Sequence, residues 1–359
     1  MANKNGDRFF VLDGLRGMAA LAVVFYHAVE PFDVPWKFPN TPLAVDFFFM
    51  LSAFVIAHAY SARLASGMKW QQFMLIRWLR LFPLHALGLL FGLLVFGMKV
   101  IKQSVGVPLE LWSGLALNLF FIPSPVELAE GWGSIFPLNV PAWSLFFEWA
   151  ANVVWVLLLV RFPARRLLWV TMVLAFIYAG AIFMKGAPLG GMETSSFPEG
   201  FLRVALPFLI GLLLWSFREK MRVFGAGAWR AGLLSASLLA LLLLGPGEAG
   251  WLWSVYVLLA VLLIFPLLVV SGAGVQVSGR LAACFEWLGY VSYALYVTHY
   301  PIVKVFSNFA RTHELNAGAI YLLAGFEVLV CLFVAYCASV LVDEPVRRLL
   351  SRFLFFRKS

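Results

Sequence analysis

Apolar residues in this chain run in blocks of roughly twenty, separated by short polar connections. Twenty residues is about the length a helix needs to cross the hydrocarbon of a bilayer, and soluble cores rarely sustain such runs. The pattern predicts an all-α, polytopic integral membrane protein with about ten transmembrane helices. The expected spans are 10–29, 43–62, 81–98, 141–160, 166–184, 201–217, 231–245, 251–270, 286–305 and 318–341. The stretch 111–123 (LWSGLALNLFFIP) is apolar but too short to cross, so an interfacial or re-entrant piece inside the long 99–140 connection is expected there. The sequence shows no tandem repeat or low-complexity tract, and no soluble domain is expected at either end. A single membrane domain over 1–359 accounts for the chain.

Composition agrees with the pattern. Hydrophobic residues make up 62% and charged residues 13%, about half the usual charged share, and the mean hydropathy is +0.90. The N-terminus resembles a signal peptide in placing Lys4 and Arg8 before an apolar stretch. However, Asp13 and Arg16 interrupt that stretch and no small-x-small site closes it, so a retained first span is expected. The net charge of +9 is spread over the connections and not gathered in one patch, which argues against nucleic acid as a partner. Of the 27 basic residues, six (Lys37, Lys99, Lys102, Lys185, Lys304, Arg311) fall on one side of the predicted topology. Two (Arg16, Arg203) sit within spans, and the other nineteen lie on the opposite side. Cytoplasmic connections hold the excess of Lys and Arg, so both termini are expected in the cytoplasm. Cys284, Cys331 and Cys337 form no even framework, and no disulfide is implied.

Ionisable groups inside a bilayer cost about 2.5–3.5 kcal/mol each on insertion scales, so each one calls for an explanation. On the first span Arg16 lies near the inner end and His27 near the outer end. Eleven residues at about 100° each return to within about 20°, so the two share one stripe about 16 Å apart in depth. Asp13, three residues before Arg16, can pair with it. Snorkelling of both side chains to the interfaces is the alternative explanation. On the second span Asp46 falls in the outer part and His58 near the inner face; Asp46 suits an N-cap or burial against another helix.

Arg77 and Arg80, spaced i and i+3, share a helix face at the inner side. Two guanidinium forks there suit a phosphate, although topology alone also places arginines at that side. The fourth span puts Glu148 about 10 Å below its start, with Asn152 one turn further on the same face. The ninth carries His299 in the outer half, beside Pro301, which is expected to kink the helix. His27, Asp46, Glu148 and His299 are thus expected at similar outer-half depth, and Arg16, Arg77 and Arg80 toward the inner face. A histidine beside a carboxylate can act as an oriented general base, and inner arginines can hold a phosphate-bearing donor supplied from the cytoplasm.

The segments LDGLRGMAALAVVFYH, VDFFFMLSAFVI, RWLRLFP, PAWSLFFEW, VSYALYVTHYP and VDEPVRRL run in order from residue 12 to 349. Together they make the chain resemble the membrane-bound acyltransferase 3 family, which O-acylates extracytoplasmic sugars and some small molecules. The resemblance implies a ten-helix fold in a bacterial cytoplasmic membrane. It implies an acyl-CoA donor, with acetyl-CoA expected, and a saccharide acceptor such as an exopolysaccharide or another cell-envelope polymer. It further implies His27 as the essential histidine with Arg16 its partner, and Arg77 and Arg80 as donor contacts. Glu148 and His299 match motif positions of less settled role, and Asp46 or Glu148 is expected to orient an imidazole. Neither a metal nor a permanently bound cofactor is expected. Partners would be the acyl-CoA, the acceptor, the bilayer and proteins of envelope polysaccharide biosynthesis. Ala53 departs from the family in standing where glycine is frequent. No hydrolase-like domain is expected after the tenth helix, so the acyl group would pass directly to the acceptor or to a separate protein. Acceptor contacts are expected in 99–140 and 185–200. The rival readings are a transporter or flippase of a lipid-linked sugar, and a non-enzymatic partner in polymer export.

Overall fold

The blocks of apolar sequence become helices because lipid offers no hydrogen-bond partner to a peptide group, and a helix satisfies its own. The computed structural model describes residues 8–103, 109–125, 134–218, 227–247 and 249–355, without the side chains at 103, 109 and 351–355. Helices α1 (Phe10–Val29), α2 (Ala44–Ala65), α3 (Trp70–Gln103), α4 (Leu109–Leu119), α5 (Ala142–Leu157), α6 (Ala164–Lys185) and α7 (Phe197–Phe217) make the first part. Then follow α8 (Ala228–Leu243), α9 (Trp251–Leu259), α10 (Phe265–Gly274), α11 (Gly279–Thr312), α12 (Ala317–Ala338) and α13 (Glu344–Phe355). There is no strand among the described residues. The π-helical turns Ala260–Ile264 and Ser339–Asp343 join α9 to α10 and α12 to α13.

Each of the ten expected spans falls on a helix, and the stretch expected to be interfacial falls on the 11-residue α4. Seven helical segments among the described residues are long and apolar enough to cross a membrane. Helices α5 and α8 have 16 residues each, about 24 Å against a hydrocarbon core of about 30 Å. Helix α11, with 34 residues, carries its charges near both ends. Lys4, Lys220, Arg222, Arg357 and Lys358 lie outside the described residues, as do 104–108 and 126–133 of the 99–140 connection.

Outward faces confirm the membrane character. Phe176 of α6 is 83% exposed and Leu322 of α12 78%, with Trp169, Val173, Leu329 and Phe333 beside them. Such a belt on a soluble protein would be a large apolar patch; in lipid it is the expected surface.

Helix α1 runs through the middle, packed chiefly on α11 and also touching α2, α8, α10 and α12. Lipid tails are as apolar as leucine, so association rests on close packing and hydrogen bonds. Glycines make room for it. A Cβ on Gly211 of α7 would stand 2.2 Å from the Met50 carbonyl and 2.8 Å from the Ala53 methyl. The small residue that Ala53 does not supply on α2 is therefore provided by the facing helix. Helix α11 continues through Pro301, which has no N–H to give the Val297 carbonyl. That carbonyl instead accepts from Asn139 Nδ2 at 2.8 Å, and Gly88 of α3 lies against it. The peptide segment before α5 is thereby tied to the helix that carries His299.

Two ends of the bundle emerge. The basic end gathers Arg8, His58, Arg77, Arg80 and Arg347. The start of α1 meets the start of α11 through an Arg8–Glu286 ion pair, and Phe9 packs edge-on to His58 at the end of α2. The opposite end holds His27, Asn40, Arg311 and the loops around them, closed by bonds such as Asn40 Nδ2 to the Pro246 carbonyl.

Candidate active site

At the basic end a cavity of about 400 Å³ opens between α1, α2, α3, α5 and α11 and the turn into α13. Arg8, Arg16, Arg77, Arg80 and Arg347 line it together with Asp13, Glu148 and Asp343. Five guanidinium groups against three carboxylates leave it formally two charges positive, a suitable environment for an anion. Deeper in, its walls are apolar, built from Val45, Phe48, Leu51, Leu81, Leu84 and Leu145.

The arginines do different jobs. Arg77 is 4% exposed and bonds Glu148 Oε1 through Nη2 at 2.6 Å; Ser52 Oγ donates to the same oxygen at 2.5 Å. Helices α2, α3 and α5 meet at that carboxylate. Arg16 donates from Nη2 to Asp13 Oδ1 (3.0 Å) and to the Gly289 carbonyl (2.8 Å), and from Nε to Ser292 Oγ (2.8 Å). It is thereby held flat against α11. Arg80 is exposed to the cavity and makes no ion pair or hydrogen bond among the described residues. Its fork is open to a ligand. Arg347 pairs with Asp343 at 3.0 Å, and Asp343 is the last residue of the π-helical turn Ser339–Asp343. Such turns insert an extra residue and re-aim the side chains beside them. Tyr290 Oη donates to Glu344 Oε1 at 2.8 Å, closing α13 onto α11.

Near the other end, His27 of α1 and His299 of α11 stack with ring centroids 5.5 Å apart, and the Tyr300 ring stands edge-on to His27 at 5.3 Å. His299 Nδ1 faces two acceptors, the carbonyls of Leu295 (3.1 Å) and Tyr296 (2.9 Å), so the proton belongs on Nδ1. Its Nε2 is then an unprotonated acceptor, buried and without a partner among the described residues. His27 is only partly buried and makes no hydrogen bond among the described residues. His299 is thus oriented by backbone carbonyls, and His27 is held against it by ring contacts with His299 and Tyr300.

The four residues expected together at outer-half depth are split three ways. His27 and His299 meet. Glu148 instead joins Arg77 in the cavity. Asp46, 1% exposed, accepts from Arg203 Nε (3.2 Å) and Nη2 (3.0 Å). Arg203 also donates to the carbonyls of Leu189 and Pro42 and lies 5.3 Å from the Trp143 ring. Among the described residues no carboxylate orients either imidazole through a hydrogen bond; backbone carbonyls do it for His299. The reason is helix phase: Asp46 is turned toward Arg203 of α7, and Glu148 toward Arg77 of α3 and the cavity below the histidines. Arg16, Arg77 and Arg80 do share one cavity. His58 lines a smaller cavity of about 200 Å³ beside it, with Arg8, Asp13 and Arg16.

Reading the sequence for charge alone misses the lining residues Ser52, Ser144, Ser292, Tyr290, Tyr293 and Tyr296, and Asp343 was not singled out among the charged ones. A signal for the tyrosines was present. Tyr290, Tyr293 and Tyr296 precede His299 at steps of three, a polar stripe on an otherwise apolar helix. Asp343 stands in the terminal VDEPVRRL segment, whose resemblance carried no role for it.

A family model described as an acyltransferase domain matches residues 10–343. A relative from Rhizobium radiobacter, described as Protein 2 in the picA locus, is 34% identical over 201 residues, covering 52% of this chain and 99% of its own. No solved structure is significantly similar.

Proposed function

This chain belongs to the acyltransferase 3 family and is an integral membrane acyltransferase; from that premise we propose that it takes an acyl group, acetyl in the first instance, from cytoplasmic acyl-CoA and places it on a hydroxyl of an extracytoplasmic or lipid-linked saccharide. The observation that carries the reading is the layout along α1. Arg16 lines the cationic cavity and His27 stands on the same helix beyond the cavity's far end. A donor with phosphates at one end and a thioester at the other suits such an axis. Arg80 would meet the phosphates, with Arg16 and Arg77 supplying field from fixed positions. The apolar stretch would hold the arm and acyl group.

In this scheme His27 is the general base. The acceptor oxygen attacks the thioester carbonyl as the imidazole takes its proton. A C–O bond forms, the C–S bond breaks, and the proton passes to the departing thiolate, so CoA leaves as the thiol. His299, with its proton held on Nδ1, would present Nε2 to the same hydroxyl or to the imidazolium. We place the protein in a bacterial cytoplasmic membrane with ten crossings and both termini cytoplasmic, the sidedness that the distribution of Lys and Arg supports. Its working partners would be enzymes of envelope polysaccharide synthesis, including exopolysaccharide.

Incubating purified membranes with labelled acetyl-CoA and following label into saccharide tests the reading. A general base contributes about 10²- to 10⁴-fold, so His27→Ala should lower transfer by that factor while the folded protein level stays unchanged. Near wild-type transfer by His27→Ala would refute the assignment of the base. Absence of CoA release with every acceptor would favour transport of a lipid-linked sugar instead.

A further inference from the structure

The cavity does not reach the histidines. Register along the helices gives it a direction: Arg8 lies just before α1, and on α1 the lining runs from Asp13 to Ala20, about 10 Å at 1.5 Å per residue. On α2 it runs from Ile56 back to Val45, and on α11 from Gly289 to Tyr296. These series agree, so Ala20, Val45, Phe48, Ser144 and Tyr296 form the deep end. His299 is the next turn of α11 beyond Tyr296, with rings 6.1 Å apart. His27 lies two turns beyond Ala20.

Tyr296 is the residue common to both sides. Its ring faces the cavity and is pinned from two directions. The hydroxyl is 2.8 Å from Ser144 Oγ on α5, and the Phe48 ring of α2 stands edge-on at 5.6 Å. Ser144 Oγ is itself 2.9 Å from the Pro141 carbonyl, its acceptor, which leaves Tyr296 as the donor to Ser144. The Tyr296 carbonyl, meanwhile, accepts from His299 Nδ1 at 2.9 Å. One residue closes the donor cavity and orients the histidine behind it.

We propose that Tyr296, latched by Ser144 and braced by Phe48, is the specificity-determining partition of this enzyme. It forms the floor that limits the length of the acyl group, and it keeps water on the histidine side away from the thioester until the latch opens. The proposal rests on an acyl-CoA donor entering at the basic end. Chain length follows from the floor because a cavity sized for one acyl group penalises each added methylene, by about 10-fold or more in a closed pocket. Water sealing follows because any water reaching the thioester carbonyl would take the acceptor's place and release free acid and CoA.

The test compares acetyl-CoA with butyryl-CoA in wild type, Tyr296→Ala, Tyr296→Phe and Phe48→Ala, reading acyl transfer, CoA release without acceptor, and displacement of labelled CoA by each thioester. Tyr296→Ala should raise the butyryl-to-acetyl ratio by at least about 10-fold, in transfer and in displacement alike. Tyr296→Phe keeps the ring and removes the latch, so the ratio should hold while acceptor-independent CoA release rises. Phe48→Ala should raise the ratio from the other wall, which covers a Tyr296→Ala protein that does not fold. An unchanged ratio in whichever of the two alanine variants folds would overturn the partition. Failure of the acyltransfer reading looks different: wild type would then bind acyl-CoA without releasing CoA to any acceptor. Displacement by the two thioesters would still judge the floor. If wild type binds no acyl-CoA, both proposals fall.

Discussion

Two buried arginine–carboxylate pairs cross between helices of this bundle, and they look alike in sequence. Arg77 of α3 meets Glu148 of α5 at 2.6 Å, and Arg203 of α7 meets Asp46 of α2 at 3.0 Å. Both are charged groups at positions that lipid-facing sequence would not tolerate. Their surroundings differ. Glu148 is 16% exposed and opens on the cavity with Arg16 and Arg80 nearby, whereas Asp46 is 1% exposed and Arg203 spends its remaining donors on backbone carbonyls. One pair is a wall with a free side; the other is a closed strut. A buried ion pair is therefore not by itself a mark of the site. What marks it is the space beside the pair.

The comparison can be broken at both ends. The largest contrast is expected from removing each pair whole. Replacing a buried pair by apolar residues is often neutral for stability. Asp46→Leu with Arg203→Leu strands only the Leu189 and Pro42 carbonyls, so it should lower the thermal midpoint in detergent less than either single change and keep most acetyl transfer. Arg77→Leu with Glu148→Leu should keep the midpoint, yet lose transfer by about 100-fold, the equivalent of one to two charge-assisted hydrogen bonds. Equal loss from both double variants would erase the distinction. Next come the single breaks, since an uncompensated buried charge costs about 3–5 kcal/mol. Arg203→Ala should lower the midpoint more than Arg77→Ala, because Glu148 can borrow hydration from the cavity and Asp46 cannot. The same measurement checks it.

A smaller effect probes the tie between α11 and the segment before α5. Asn139→Ala strands the Val297 carbonyl and should cost about 1–3 kcal/mol. With Pro301→Ala already in place, a backbone N–H can take that carbonyl, and the cost of Asn139→Ala should fall well below its value alone. Additive losses in a thermal cycle would show that the two residues do not serve the same group. The smallest change is expected at the periphery. Lys185 and Glu199 pair at 2.5 Å but are about one-third exposed each, so Glu199→Gln should shift stability by only about 0–1 kcal/mol and leave transfer intact. A large loss there would mean that the loop 185–200 bears on the reaction.

Much of this was legible in the chain. Block length and the absence of polar surface determine a membrane fold of helices, because a peptide group in lipid has no other way to be satisfied. The Arg16–His27 stripe and the Arg77–Arg80 face follow from 3.6 residues per turn and need no tertiary structure. Depth along one helix was also readable, but only roughly. The expectation that Asp46, Glu148 and the two histidines converge used depth without azimuth, and azimuth relative to other helices is a property of packing. Gly211 opposite Ala53 and Gly88 against the Val297 carbonyl decide how closely and at what rotation the helices meet. Those contacts turned Glu148 to Arg77 and Asp46 to Arg203. They also set Tyr296 between the cavity and His299, where no single-helix periodicity could have put it. Composition and period determine what each segment is; which side chains share a cavity depends on interlocking surfaces tens of residues apart in sequence, and only the assembled bundle contains them.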